Sequence, residues 1–331
     1  MKFSDRTLTR YALSCVAAAM LAGCGGSQPP IGAPGATPQT SSFATHADRG
    51  KSWMLPEATS QDLLYVSAGG YSGQQGAVLV LSFPKGDLVG TLTGFSVPSG
   101  ECVDESGDVF VADGGADTIR EYAHGGTTPI ATLNDPGEPY GCSVDPMTGN
   151  LAVTNGSDSV AIYPSAQGTP TLYSDPSIYE YLFCAYDNHG NLFVDGTTSD
   201  LIGELPKGGA SFTNITFNGA IAGPSSMQWV GGKLVIVDDG APWRTPTPVD
   251  RVQISGSTGI VVGTTHLKSQ YGGVAAYVQY WIQGHNIVGP ERSNGDGHRF
   301  LGFWGYPTGG KPIQTLRHFD SGYLWGAVVS K

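Results

Sequence analysis

Val103-Asp104-Glu105-Ser106-Gly107-Asp108-Val109-Phe110-Val111-Ala112-Asp113, running on to Gly125-Gly126, is the stretch that decides the fold. An apolar strand ends in Asp104, a glycine-containing turn follows, and Val109 to Val111 form a β-rich run. A polar loop from Asp113 to Asp117 leads into a third strand, Ile119 to Tyr122, and then into the Gly125-Gly126 turn. Short β-branched and aromatic runs bounded by Gly, Asp and Ser read as strands joined by tight turns. The 331-residue chain as a whole, with 49 Gly, 22 Pro and only 14% charged residues, favours many short strands over long helices.

The unit recurs. Its second strand reappears as Leu63-Leu64-Tyr65-Val66, Asn150-Leu151-Ala152-Val153, Asn191-Leu192-Phe193-Val194, Lys233-Leu234-Val235-Ile236 and His285-Asn286-Ile287-Val288. Counting the Val111 copy, the last residues of these strands are 45, 42, 41, 42 and 52 positions apart. Third strands follow at matching offsets, for example Thr118 to Tyr122, Ser159 to Tyr163 and Leu201 to Leu205, and fourth strands after them. A period of about 40 to 50 residues with four short strands per unit is the signature of a β-propeller. The first unit lacks a strand before Leu63, whereas Tyr323 to Val329 has no partner of its own. Pairing the two predicts an all-β, six-bladed β-propeller whose C-terminal strand latches the first blade and removes a free sheet edge.

Pro98-Ser99-Gly100-Glu101-Cys102-Val103-Asp104, Gly107-Asp108 and Val109-Phe110-Val111-Ala112-Asp113 resemble the NHL-type repeat. Pro139-Tyr140-Gly141-Cys142-Ser143-Val144-Asp145 with Gly149-Asn150 follows the same pattern, and Asp187 with Gly190-Asn191-Leu192-Phe193-Val194-Asp195 keeps its second half. The resemblance covers about residues 98 to 196 and fades beyond. It implies kinship with streptogramin-lyase-like and gluconolactonase-like propellers, a fold that hosts many functions.

The N-terminus carries an address. Lys2, Arg6 and Arg10 precede an apolar run from Tyr11 to Leu21, the pattern of a cleaved targeting segment. Leu21-Ala22-Gly23-Cys24 resembles a bacterial lipobox, which implies lipidation of Cys24 and attachment to a cell-envelope membrane through acyl chains. Residues 1–24 thus read as a lipoprotein signal, 25–58 as a Gly/Pro/Ser-rich disordered tether, and 59–331 as the propeller. Loss of residues 1–24 leaves 14 basic against 27 acidic side chains, a net charge of −13. An acidic surface of that size argues against nucleic acid as a partner and fits an extracytoplasmic protein.

Three cysteines remain, Cys102, Cys142 and Cys184, each on a first strand. Cys102 lies two residues before its repeat Asp and the others lie three before theirs. Alternation along a strand therefore points Cys102 to the opposite blade face from Cys142 and Cys184. Two readings stay open: a Cys102–Cys142 disulfide across one blade interface, or three small buried apolar residues.

The strand-end carboxylates Asp104, Asp145 and Asp187, with Asp113, Asp195 and Asp238, are expected to crowd one rim of the channel. They suit either a Ca²⁺ or Mg²⁺ site, with Asp104, Asp145 and Asp187 as ligands, or turn closure by each Asp in its own repeat. The repeat breaks in loops at Gly69 to Gly76, Asp238 to Pro248 and Gly289 to Arg299. There Tyr71 and Trp243 are candidates for stacking, and Arg244, Glu291, Arg292, Asp296 and His298 for polar contact with a ligand. Loop drift on a tolerant scaffold is the alternative.

Two function classes follow. One is a lipid-anchored binding module for an envelope protein or small extracellular ligand. The other is a metal-assisted lyase or lactone hydrolase at the channel mouth, with His266, His285 or His298 as base. His124 and His189 lie in turns and are expected to be solvated. The chain has no Gly-x-Ser-x-Gly, His-Glu-x-x-His, Cys-x-x-Cys or phosphate-loop motif.

Overall fold

The computed structural model describes residues 50–69, 75–156, 158–196, 200–240, 246–269, 272–274, 277–293, 297–317 and 323–331, with 272–274, 292–293 and 297–299 described by backbone alone. All of these belong to the compact unit Ser41–Lys331. Short antiparallel strands dominate, and helical structure is confined to 3-10 turns such as Pro56–Ser60. No helix among the described residues is long and apolar enough to cross a membrane.

The strands form five sheets. One runs Leu324–Ser330, Leu63–Ala68, Gly76–Ser82, Leu88–Phe95 and Trp53–Met54. Two more have four strands each: Pro98–Val103 to Ala131–Asn134, and Pro139–Val144 to Thr171–Tyr173. An eight-stranded sheet consists of two antiparallel groups of four, Cys184 to Thr216 and Pro224 to Leu267, joined by a single parallel pair, Thr216 with Thr258. In the last, Gly272–Val274 and Trp281–Gln283 both pair with Asn286–Ser293, followed by Gly297–Gly305 and Gln314–Leu316.

Burial explains the sequence pattern. Second strands such as Leu63–Ala68, Val109–Asp113 and Leu151–Asn155 are buried at every position, so they read as unbroken apolar runs. Outer strands such as Ala131–Asn134 alternate between half-buried and exposed positions. Among the described residues six hydrophobic clusters lie between the groups of strands, and each draws on two consecutive groups. Leu63 and Tyr65 meet Val109 and Val111; Phe110 meets Leu151 and Val153; Val160 meets Leu192 and Val194. Phe193 then meets Leu234 and Ile236, Val235 and Val237 meet Ile287 and Trp304, and Val288 and Phe303 return to Leu64 and Val66. The first strands pack in the same cyclic order. Leu324–Ser330 contributes to two clusters, with Val328 on one face and Leu324, Ala327 and Val329 on the other.

Close approach of the first strands needs small residues. A side chain on Gly141 would stand 2.4 Å from the Leu182 carbonyl oxygen, and one on Gly326 would stand 2.8 Å from that of Ser99. Buried hydroxyls bridge consecutive groups: Ser67 donates to the Ser99 carbonyl at 2.5 Å, and Thr154 to that of Leu182 at 2.7 Å. Ser226 Oγ accepts from the Tyr280 N–H at 2.9 Å.

Two boundaries differ from the sequence reading. Residues 50–58 were assigned to the tether, yet Trp53 and Met54 add an edge strand to the first sheet and Ala58 is fully buried. Gly90 makes this possible, because Met54 Sδ lies 2.2 Å from where a Cβ on Gly90 would stand. Gly289 to Arg299, read as a loop, is largely a hairpin in which Gly289 faces Gly302 and Glu291 faces Phe300. Its Pro, Glu and Gly content hid the strand, but the buried Glu291 carboxylate accepts hydrogen bonds from Ser269 at 2.9 Å and Thr315 at 2.8 Å.

Glu101 sits where the groups meet. It is fully buried, touches the Ser67 hydroxyl, and abuts Gly326. Its backbone N–H and C=O bond both amide atoms of Gln279 at 2.8 and 2.6 Å. Burial pushes its carboxyl up from 4.5 to about 8, so at neutral pH it is protonated. A folded-state pKa above the unfolded one means that the folded chain holds the proton longer. Stability is then full below about pH 4.5 and falls until about pH 8. Glu101→Gln should remove this fall, so that the melting temperatures of variant and wild type diverge with rising pH across that window and not above it. Gly326→Ala, which forces a methyl against Glu101 and Ser99, should cost about 1–3 kcal/mol in chemical denaturation.

Candidate functional site

Antiparallel pairing separates the strand-end carboxylates that the sequence reading put on one rim. Pro98 lies opposite Asp113 and Val103 opposite Val109, so Asp104 and Asp113 stand at opposite ends of one strand pair. Pairing of Pro224 with Asp238, and of Tyr186 with Leu192, repeats the arrangement.

Each carboxylate is engaged locally. Asp104 Oδ1 accepts the N–H groups of Ser106 and Asp108, both at 2.9 Å. Asp145 takes those of Met147 (2.9 Å) and the Thr148 hydroxyl, and Asp187 those of His189 (2.8 Å) and Asn191 (2.9 Å). At the other rim Asp113, Asp195 and Asp238 accept N–H groups from the segment leading into their own first strand: Val97 at 2.7 Å, Phe183 at 2.6 Å and Gly223 at 3.0 Å. Asp104, Asp145 and Asp187 thus sit in separate turns. Among the described residues no group of three or more His, Cys, Asp or Glu side chains is disposed to hold a metal ion.

Where first strands end, they enclose a cavity of about 450 Å³. Its wall carries the aromatic rings of Tyr186, Trp229 and Trp281, the amides of Gln228 and Gln279, and the acidic Asp104, Glu105 and Asp145. Cys102 and Cys142, joined in a disulfide with Cα atoms 5.5 Å apart, form part of the same wall, as does Cys184. The Cys184 thiol is free and buried, and burial with the nearby Asp195 charge pushes its pKa up, so it stays a thiol.

The wall is held rigidly. Trp229 stacks on Phe193 with ring centroids 5.9 Å apart and parallel planes. Gln228 donates to the Ile282 carbonyl at 3.1 Å and accepts its N–H at 2.8 Å, which pins Trp229 beside Trp281 across two groups. Gln279 does the same with the backbone of Glu101. Gln228 thus replaces a sheet pair between consecutive first strands, whereas Gln279 ties groups that are not consecutive.

Of the side chains proposed from sequence, Tyr71, Trp243, Arg244 and Asp296 lie outside the described residues, as do the side chains of Arg292 and His298. Glu291 is in a strand, away from any loop surface. His266 and His285 are exposed, and neither lines the cavity. His189 is solvated, whereas His124 is half-buried: its Nδ1 lies 2.6 Å from Ser330 Oγ and its Nε2 lies 3.1 Å from the Gln61 carbonyl oxygen. Gln228, Trp229, Gln279 and Trp281 were missed. Their signal was a glutamine beside aromatic residues on a first strand, in Gln228-Trp229 and Gln279-Tyr280-Trp281, where the repeat otherwise carries small or apolar residues.

No protein-family model matches the sequence, and no curated protein matches it. Solved structures do match the fold. A chain from a nidogen/laminin complex aligns with a TM-score of 0.62 at 13% identity, over 82% of this chain and 98% of the other. A Bacteroides caccae protein of unknown function aligns with a TM-score of 0.61 at 11% identity, over 82% and 99%. Streptogramin B lyase aligns with a TM-score of 0.52 at 15% identity, over 81% and 87%. At these identities the likeness establishes architecture alone. The chain has the β-propeller fold.

Proposed function

We propose that this protein is a lipid-anchored, extracytoplasmic binding module that holds a small ligand in the cavity at the first-strand ends. On this reading the cyclic hydrophobic clusters are the interfaces of six blades, and Leu324–Ser330 is the latch that closes the ring on Leu63–Ala68. The anchor rests on Leu21-Ala22-Gly23-Cys24, with lipid on Cys24, which places the propeller on the outer side of a bacterial envelope membrane.

The observation that carries the proposal is the pinned aromatic wall. A cavity of about 450 Å³ lies in the size range of small-molecule sites, about 300–1,000 Å³. Its tryptophans are fixed before any ligand arrives, which lowers the entropic cost of binding. Asp104 and Asp145 at its edge accept turn N–H groups, an arrangement suited to shaping a site more than to proton transfer. The rival reading, a metal-assisted lyase or lactone hydrolase, would have Ca²⁺ or Mg²⁺ as its cofactor.

Thermal melts of the full chain against amines, sugars, amino acids, aromatic acids, and Ca²⁺ or Mg²⁺ test the choice. A ligand at a hundredfold excess over its Kd adds about 2.7 kcal/mol, so one organic class should raise the Tm clearly. Trp229→Ala should abolish that rise. A rise with Ca²⁺ or Mg²⁺ alone, accompanied by lactone turnover, would replace the binding module with the enzyme. A rise unaffected by Trp229→Ala would move the site elsewhere.

A further inference from the structure

Resting on the binding-module reading, we propose that the cavity recognises a small organic cation: an alkylammonium or arylalkylammonium ion, its charged group among the carboxylates and its apolar part against the tryptophans. The wall's charge has one sign. Asp104, Glu105 and Asp145 line it, and among the described residues no Lys, Arg or His does. Both backbone bonds to Asp104 fall on Oδ1, so its second oxygen has no such bond among the described residues.

Its donors are uncharged: the Ser106, Ser143 and Tyr186 hydroxyls and the Asn188 amide line it. The Gln228 and Gln279 amides already donate to the Ile282 and Glu101 carbonyls. The indole nitrogens of Trp229 and Trp281 have no accessible surface, so these rings meet the cavity with carbon and π surface and not with their N–H groups. Acceptors and π faces together select a ligand that donates hydrogen bonds and carries positive charge. A carboxylate or phosphate ligand would meet like charge and no counter-ion. A neutral polyol could hydrogen-bond these groups but would leave the carboxylate charge uncompensated. The net charge of −11 on the chain also draws cations toward the mouth.

Tryptophan fluorescence and calorimetric titration of the full chain decide the matter, with choline and tyramine set against their uncharged isosteres 3,3-dimethylbutan-1-ol and 4-ethylphenol. At least one amine should bind tenfold or more tightly than its isostere, and more weakly as salt is raised. Glu105 is exposed, so Glu105→Gln should weaken amine binding several-fold while leaving the Tm unchanged. Trp281→Phe should keep most of the affinity, and Trp281→Leu should lose it. Equal binding of amine and isostere would overturn the charge claim and leave the cavity as a site. Absence of binding by either amine would overturn the proposal outright. The binding-module reading would then stand only if another ligand class gave a Tm rise that Trp229→Ala removes.

Discussion

The antiparallel pairing of Leu324–Ser330 with Leu63–Ala68 ties the last strand to the first group, and two of the hydrophobic clusters depend on it. Leu64 lies opposite Val329 and Val66 opposite Ala327, so residues more than 260 positions apart become backbone neighbours. The strand supplies Val328 to one inter-sheet cluster and Leu324, Ala327 and Val329 to the next. Without it two clusters lose a wall, and Leu63–Ala68 exposes an unpaired edge. Ser330 reinforces the join, because its hydroxyl donates to the Gly107 carbonyl at 2.6 Å and lies against His124.

The cavity inherits its shape from the same constraint. First strands approach closely where Gly141 and Gly326 leave room, and glutamine side chains add bridges between groups. Gln279 lies beside Gly326 itself. It lines the cavity, bonds Glu101 two groups away, and accepts the interior with both amide atoms satisfied; its own N–H reaches the Trp325 carbonyl at 2.9 Å. The side chains that shape the cavity wall are therefore also ties between the last group, Leu324–Ser330 and the second group.

Much of the architecture was legible because second strands, buried on both faces, leave an apolar signature that survives drift in the rest of the repeat. Leu63-Leu64-Tyr65-Val66 and Lys233-Leu234-Val235-Ile236 are recognisable although their flanks have lost the NHL-like pattern. The first strand of the last unit was less legible: Trp281–Gln283 has three residues, and its order comes from Gln228 and Gln279 bonding across groups. The hairpin at Asn286–Ser293 was obscured by a buried glutamate whose partners, Ser269 and Thr315, lie 22 and 24 residues away in sequence. The carboxylates misled in another way. Their spacing is periodic, but only the antiparallel register reveals that Asp104 and Asp113 stand at opposite rims.

Amide hydrogen exchange on the full chain tests ring closure most directly. If the C-terminal strand is the latch, the amides of Leu324–Ser330 and Leu63–Ala68 should exchange only through global unfolding, with the same opening free energy as those of Val109–Asp113 and Leu151–Asn155. Exchange of Leu324–Ser330 through a lower-energy opening, with the second strands still protected, would show that the ring stands without its latch and would contradict the account.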